Sequence, residues 1–150
     1  MVSTPEERLK KRAEDLLKHP PETPAQRAAR AKQENKQAGE RIRSVGQVYL
    51  KRAETLIRAT NARIYHRLRH SAPGTTEGFT LEVGHYPFVQ AWIEGEGWYV
   101  TVRSRRDGLS HFRYASNQAF LDAMDDLLEP LVASALEALA SGVERPAPEA

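Results

Sequence analysis

Residues 79–114 read FTLEVGHYPFVQAWIEGEGWYVTVRSRRDGLSHFRY, and the period of this stretch decides the fold. Phe79, Leu81 and Val83 alternate with Thr80, Glu82 and Gly84, the period-two pattern of a half-buried strand. Further strands are expected at 88–93, 98–103 and 110–114. The link Glu94-Gly95-Glu96-Gly97 can supply positive φ angles, and Asp107-Gly108 is a favoured type I′ pair, so two of the connections read as hairpins. The expectation is a four-stranded antiparallel meander.

On the N-terminal side, Ile42, Val45, Tyr49, Ala53, Leu56, Ile64 and Leu68 fall at helical spacing. They predict one long helix from residue 42 to near His70, ended by Pro73 and Gly74. On the C-terminal side, Ser116 or Asn117 can cap a last helix whose wide apolar stripe runs through Phe120, Met124, Leu127, Leu128, Leu131 and Ala135. That stripe should cover the sheet. Pro130 cannot donate to the preceding turn, so a kink or a restart is expected there, with Gly142 as the stop.

Residues 1–40 differ in kind. Thr4, Pro5 and Glu7 make a helix start, Leu9, Ala13, Leu16 and Leu17 follow at helical spacing, and His19-Pro20-Pro21 ends the pattern. Thr23, Pro24 and Gln26 repeat the start signal, yet the only apolar residues between 25 and 40 are alanines, which cannot anchor a core. The organisation is therefore read as a basic arm, partly helical or mobile, over 1–40, an α+β domain (helix, four strands, helix) over 41–142, and a disordered tail over 143–150.

Composition bounds the function. With 150 residues, 40% hydrophobic and 7% aromatic, the chain can build one modest core. It has no cysteine, hence no disulfide, thiol nucleophile or thiolate metal cage. No run approaches the roughly 18 apolar residues of a membrane span, and the N-terminus lacks the apolar stretch of a signal peptide. A cytoplasmic protein with no membrane partner is expected.

The net charge of +2 hides an asymmetry. Residues 1–72 hold 17 of the 22 Lys and Arg against 8 acids, whereas residues 73–150 hold 5 bases and 12 acids. Such a split points to a charged partner. A cationic arm that neutralises phosphates binds nucleic acid by counterion release, and Arg41, Arg43, Lys51 and Arg52 sit where arm meets body. If Trp98, Val100 and Val102 face inward, Tyr99, Thr101 and Arg103 face outward, joined by His111 and Arg113, with Arg105 and Arg106 at the hairpin tip. Guanidinium groups beside an exposed ring suit single-stranded DNA or RNA. A rival surface is acidic: Asp122, Asp125, Asp126 and Glu129 line one stripe of the last helix and could receive a basic helix, of a protein partner or of a second copy in a homodimer.

Catalytic signals are weak. His66 and His70, at i and i+4 on the expected helix, would share a face as zinc ligands do. Position 67 is Arg where a general-base Glu would be needed, and no third ligand is evident. There is no Gly-x-Ser-x-Gly elbow, no phosphate-cradling Gly-x-x-x-x-Gly-Lys loop and no dinucleotide fingerprint. The expectation is a non-catalytic binding protein without cofactor or metal.

Overall fold

The computed structural model describes residues 3–70 and 78–148. It divides into two units, Met1–Lys36 and Gln37–Ala150.

The first unit is helical. α1 (Pro5–Lys18) begins at Thr4, whose hydroxyl accepts from the Glu7 N–H at 3.3 Å, and it buries none of its residues. Leu9, Leu16 and Leu17 are exposed. A reciprocal capping box opens α2 (Pro24–Ala59): the Gln26 N–H donates to the Thr23 hydroxyl at 3.1 Å, and the Thr23 N–H donates to the Gln26 side-chain carbonyl at 2.8 Å. Arg30 then pairs with Glu22 at 3.1 Å and Glu34 at 3.7 Å. The helix start expected at Thr23 is thus real, and it opens a single helix of 36 residues.

The second unit is α+β. It holds α2 from residue 37 onward, a five-stranded antiparallel sheet in the order β1-β2-β3-β4-β5, and two C-terminal helices. The strands are β1 (His66–His70), β2 (Gly78–Val83), β3 (Phe88–Glu94), β4 (Gly97–Ser104) and β5 (Gly108–Tyr114).

The fifth strand corrects the expected four. The long helix stops at Ala59, where the Thr60 hydroxyl donates back to the Ile57 carbonyl at 2.6 Å and Asn61 turns the chain with φ 56°. Ile64 and Leu68 fit helical spacing from Ile57, but Ile64, His66, Leu68 and His70 also alternate with Arg63, Tyr65, Arg67 and Arg69. That second period is the one the chain adopts, pairing His66 with Val83 and His70 with Phe79. Pro73 and Gly74 lie outside the described residues. His66 and His70 are consequently four residues apart along a strand, about 13 Å, and not on adjacent helical turns. Among the described residues, no group of three or more ligating side chains could hold a metal.

The C-terminal helix is also divided differently. α3 (Asn117–Asp122) starts at Ser116, whose hydroxyl accepts from the Ala119 N–H at 3.1 Å. The break falls at Ala123, in the bridge region at φ −83° and ψ −3°, and Pro130 lies inside α4 (Met124–Ala140). The β4–β5 link is likewise a three-residue loop closed by Gly108 at φ 66°, not a two-residue turn. After Gly142, at φ 76°, the chain doubles back: the Glu144 N–H donates to the Ala138 carbonyl at 3.0 Å and the Ala147 N–H to the Arg63 carbonyl at 2.8 Å. Glu144 is buried, its carboxylate accepting from the His85 N–H at 2.6 Å, so the segment read as a disordered tail is tied to the body through residue 147.

Phe79, Leu81, Val89, Ala91, Trp98 and Val100 form the inner face of the sheet, against Val45, Tyr49 and Ala53 of α2 and Phe120, Leu128 and Leu131 of the last helices. Phe79 and Phe120 are in ring contact with each other and with both Tyr49 and Trp98, at centroid distances of 4.5–6.1 Å. The Tyr49 hydroxyl donates to the Phe120 carbonyl at 2.5 Å. Burial, and next to it Tyr114, pushes the Tyr49 pKa well above the ordinary tyrosine value. Tyr49→Phe leaves that buried carbonyl unpaired, and we expect a loss of about 1–3 kcal/mol in urea denaturation. The sign with pH follows from the raised pKa. The unfolded chain releases this proton near pH 10 while the folded chain keeps it, so stability is complete below about pH 10 and declines above it. The Phe variant should show a shallower alkaline decline; equal slopes in the two proteins would contradict the assignment.

Candidate nucleic-acid interface

Strand register fixes what the outer face presents. The two-residue turn Gly95-Glu96 pairs Glu94 with Gly97 and Ile93 with Trp98, so Trp92 and Tyr99 stand side by side on the far face. Three rows cross that face. One runs Trp92, Tyr99, Arg113; the next Arg69, Thr80, Gln90, Thr101, His111; the third Arg67, Glu82, Phe88, Arg103, Leu109. Adjacent rows lie about 6.7 Å apart.

The first row is aromatic and cationic. Trp92 and Tyr99 stack at 5.8 Å with 27° between planes, Tyr99 stacks on His111 at 5.9 Å and 11°, and the Arg113 guanidinium lies 5.3 Å from the Tyr99 ring centre. His111 Nδ1 lies 3.1 Å from both the Tyr99 and the Thr101 hydroxyls, which holds the two rings in register. Trp92, Tyr99 and Arg103 are half-buried, and Arg113 is exposed.

A second aromatic and cationic group sits at the other end of the face. The Arg103 guanidinium lies 4.3 Å from the Tyr86 ring centre and 4.5 Å from that of Phe88, while its Nε donates to the Tyr86 carbonyl at 2.9 Å. Arg105 approaches the same Tyr86 ring at 4.9 Å, and its guanidinium is 3.8 Å from the Glu144 carboxylate. Two carboxylates temper the positive charge: Glu82 pairs with Arg69 and accepts from the Tyr65 hydroxyl at 3.2 Å, and Glu94 pairs with Arg113 at 3.4 Å. Arg67 has no ion pair among the described residues.

The residues singled out from the sequence therefore fall into separate groups. Tyr99, Arg103 and Arg113 share the outer sheet face, with Arg105 at its end. Arg106 is exposed on the hairpin tip, on the side facing α4. Arg43 and Lys51 are exposed on α2. Arg41 is structural: it donates to the Asn117 side chain at 2.9 Å and to the carbonyls of Gly95, Glu96 and Gly97 at 2.9, 2.7 and 3.2 Å, with Trp98 5.5 Å from its guanidinium carbon. Arg52 donates to both carboxylate oxygens of Asp125, at 2.7 and 3.0 Å, and that pairing holds the Asp125 carboxyl below its ordinary pKa. One member of the cationic group thus occupies a member of the acidic stripe. Asp122 accepts from Gln118 at 2.7 Å, leaving Asp126 and Glu129 open on α4.

Trp92, Phe88, Gln90 and Tyr86 were not among the residues expected on this face. Residues 88–93 are apolar on both sides, so periodicity alone does not orient them. The signal that could have done so is the tight Gly95-Glu96 turn, which ties Trp92 to the outward side once Trp98 is placed inward. Compared with family models, curated proteins and solved structures, the chain matches none.

Proposed function

We propose that the protein is a non-catalytic binding protein that holds single-stranded nucleic acid on the outer face of its sheet. The observation that carries this reading is the row Trp92, Tyr99, Arg113 on three neighbouring strands. Two rings offer stacking surfaces to bases, and the guanidinium beside them meets a phosphate. Arg103 with Tyr86 and Phe88 repeats the combination at the other end of the face, so an extended strand would meet a ring and a cation at each end. Arg43 and Lys51 are exposed on α2, which packs against the inner face of the sheet, and so do not belong to this surface. Arg41 and Arg52 drop out of the interface because each is held within the fold through two or more guanidinium nitrogens, whereas Arg103 and Arg113 are each held through Nε alone.

Fluorescence anisotropy with labelled single-stranded and duplex oligonucleotides tests it. Each base–ring stack contributes about 1–3 kcal/mol, so Trp92→Ala with Tyr99→Ala should weaken single-strand binding by at least about tenfold at every salt concentration. Arg103→Ala with Arg113→Ala should instead flatten the salt dependence. Affinity unchanged by the aromatic pair, in a protein whose unfolding midpoint is also unchanged, would remove the sheet face from the reading. The other reading is a protein-interaction module acting through its helices. It draws on the exposed Leu9, Leu16 and Leu17 of α1, and deleting residues 1–36 should then abolish self-association or partner capture.

A further inference from the structure

β5 is the less protected edge of the sheet: its charge is confined to Arg113, paired with Glu94, and to His111, both on the outer face. Natural edges are blunted by proline, lysine, bulges or a covering element; the sequence of β5, GLSHFRY, holds neither proline nor lysine, and β5 pairs in full register with β4. Its outer side makes no backbone hydrogen bond among the described residues. Leu109 and Phe112 are 59% and 39% exposed on it. The opposite edge, β1, alternates histidine and arginine about a single leucine and is defended by charge.

Beneath β5, on the side turned toward α4, a trough runs along the strand. Its floor is apolar where Phe112 meets Leu127 and Pro130. Toward the hairpin it opens into a cleft of about 400 Å³ whose rim carries Asp107, Asp126, Glu129 and Glu137 against one cation, Arg106. None of these four carboxylates has an ion pair among the described residues. The two halves share Ser104, Asp107, Asp126 and Pro130, so they form one continuous surface.

We propose that the free edge of β5 and this trough form a docking site for an extended peptide, which adds a sixth strand and turns basic and apolar side chains toward α4. An added strand lies about 4.8 Å from β5 and sends alternate side chains to opposite faces. Main-chain hydrogen bonds then supply affinity, and the trough selects the inward side chains. The surplus of carboxylates requires cations there, and Phe112 with Leu127 requires an apolar group beside them. A second copy of this chain fits less well, because pairing two β5 edges about a twofold axis brings both acidic rims to one side. Nucleic acid is repelled by the same rim. The site lies on the opposite side of the sheet from Trp92 and Tyr99, so it stands independently of the single-strand reading.

The test uses the full chain and a fluorescein-labelled peptide of sequence KTLTKTL, beside its glutamate counterpart ETLTETL and two versions N-methylated on alternate backbone nitrogens. The lysine peptide should bind and the glutamate peptide should not. One N-methylated version should lose about tenfold or more, and amide exchange should slow along 109–113. Asp126→Lys with Glu129→Lys, both on exposed positions, should reduce affinity by about tenfold or more. Trp92→Ala with Tyr99→Ala should leave it unchanged. No binding up to millimolar peptide, equal binding of the lysine and glutamate peptides, or binding that survives both N-methylated versions would overturn the proposal.

Discussion

Gly97→Ala is expected to destabilise the second unit by about 3 kcal/mol or more, although the substitution adds only one methyl group, at a buried position beside the hairpin turn. A Cβ at this position would stand 2.0 Å from the Tyr114 carbonyl oxygen and 3.0 Å from the Ala115 carbonyl carbon. Both are backbone atoms, so no side chain can rotate away. The only relief is to move the start of β4 from the end of β5, and the consequences spread from there. Trp98, the next residue, is packed against Phe79 and Phe120, and its indole N–H donates to the Asn117 side chain at 2.8 Å. Domains of this size hold only about 5–15 kcal/mol in total, so the variant should lose a large part of its cooperative transition. Urea denaturation followed by tryptophan fluorescence measures it. A midpoint close to that of the parent would mean that the strands separate at this corner without cost.

This corner also shows what the sequence discloses and what it conceals. Gly95 and Gly97 were legible as hairpin residues, and Gly95 does take φ 60°. Gly97 is there for a different reason, the close pass of β5, and that contact joins residues 17 positions apart. The alternation of Phe79, Leu81 and Val83, and of Trp98, Val100 and Val102, placed both strands, while the inward orientation of Trp98 stood only as a condition that the structure meets. β1 was missed because Ile64 and Leu68 satisfy the helical and the strand period alike, and the deciding stop lies in Thr60-Asn61, two residues whose local hydrogen bonding outweighs the apolar spacing. Half of the candidate interface was legible on the same condition: Tyr99 and Arg103 follow from the inward placement of Trp98, and Arg113 from the further condition that Phe112 and Tyr114 face the core. The charge split was the poorer guide. It marks cations by number, whereas Arg41 and Arg52 are engaged by acceptors from 73 to 76 positions away, or 54 for the nearest turn carbonyl.

Arg41→Lys should cost nearly as much stability as Arg41→Ala, about 2–3 kcal/mol, while leaving oligonucleotide binding by the folded protein unaltered. The planar guanidinium spreads its donors over Asn117 and three successive carbonyls of the Gly95–Gly97 turn, with Trp98 beneath. An ammonium group is a point charge with three donors and cannot span that set. Water can replace the bonds to the exposed Gly95 and Glu96 carbonyls, which is why the expected loss stays below the sum of four charged hydrogen bonds. It cannot readily replace those to Asn117 and the Gly97 carbonyl, which are part-buried. The urea midpoint should fall with an unchanged slope, since the same surface is exposed on unfolding. Anisotropy measured well below the midpoint should then give the parent affinity and salt dependence. A selective loss of oligonucleotide binding in Arg41→Lys, with stability retained, would return Arg41 to the interface and show that the clamp opens to meet a phosphate.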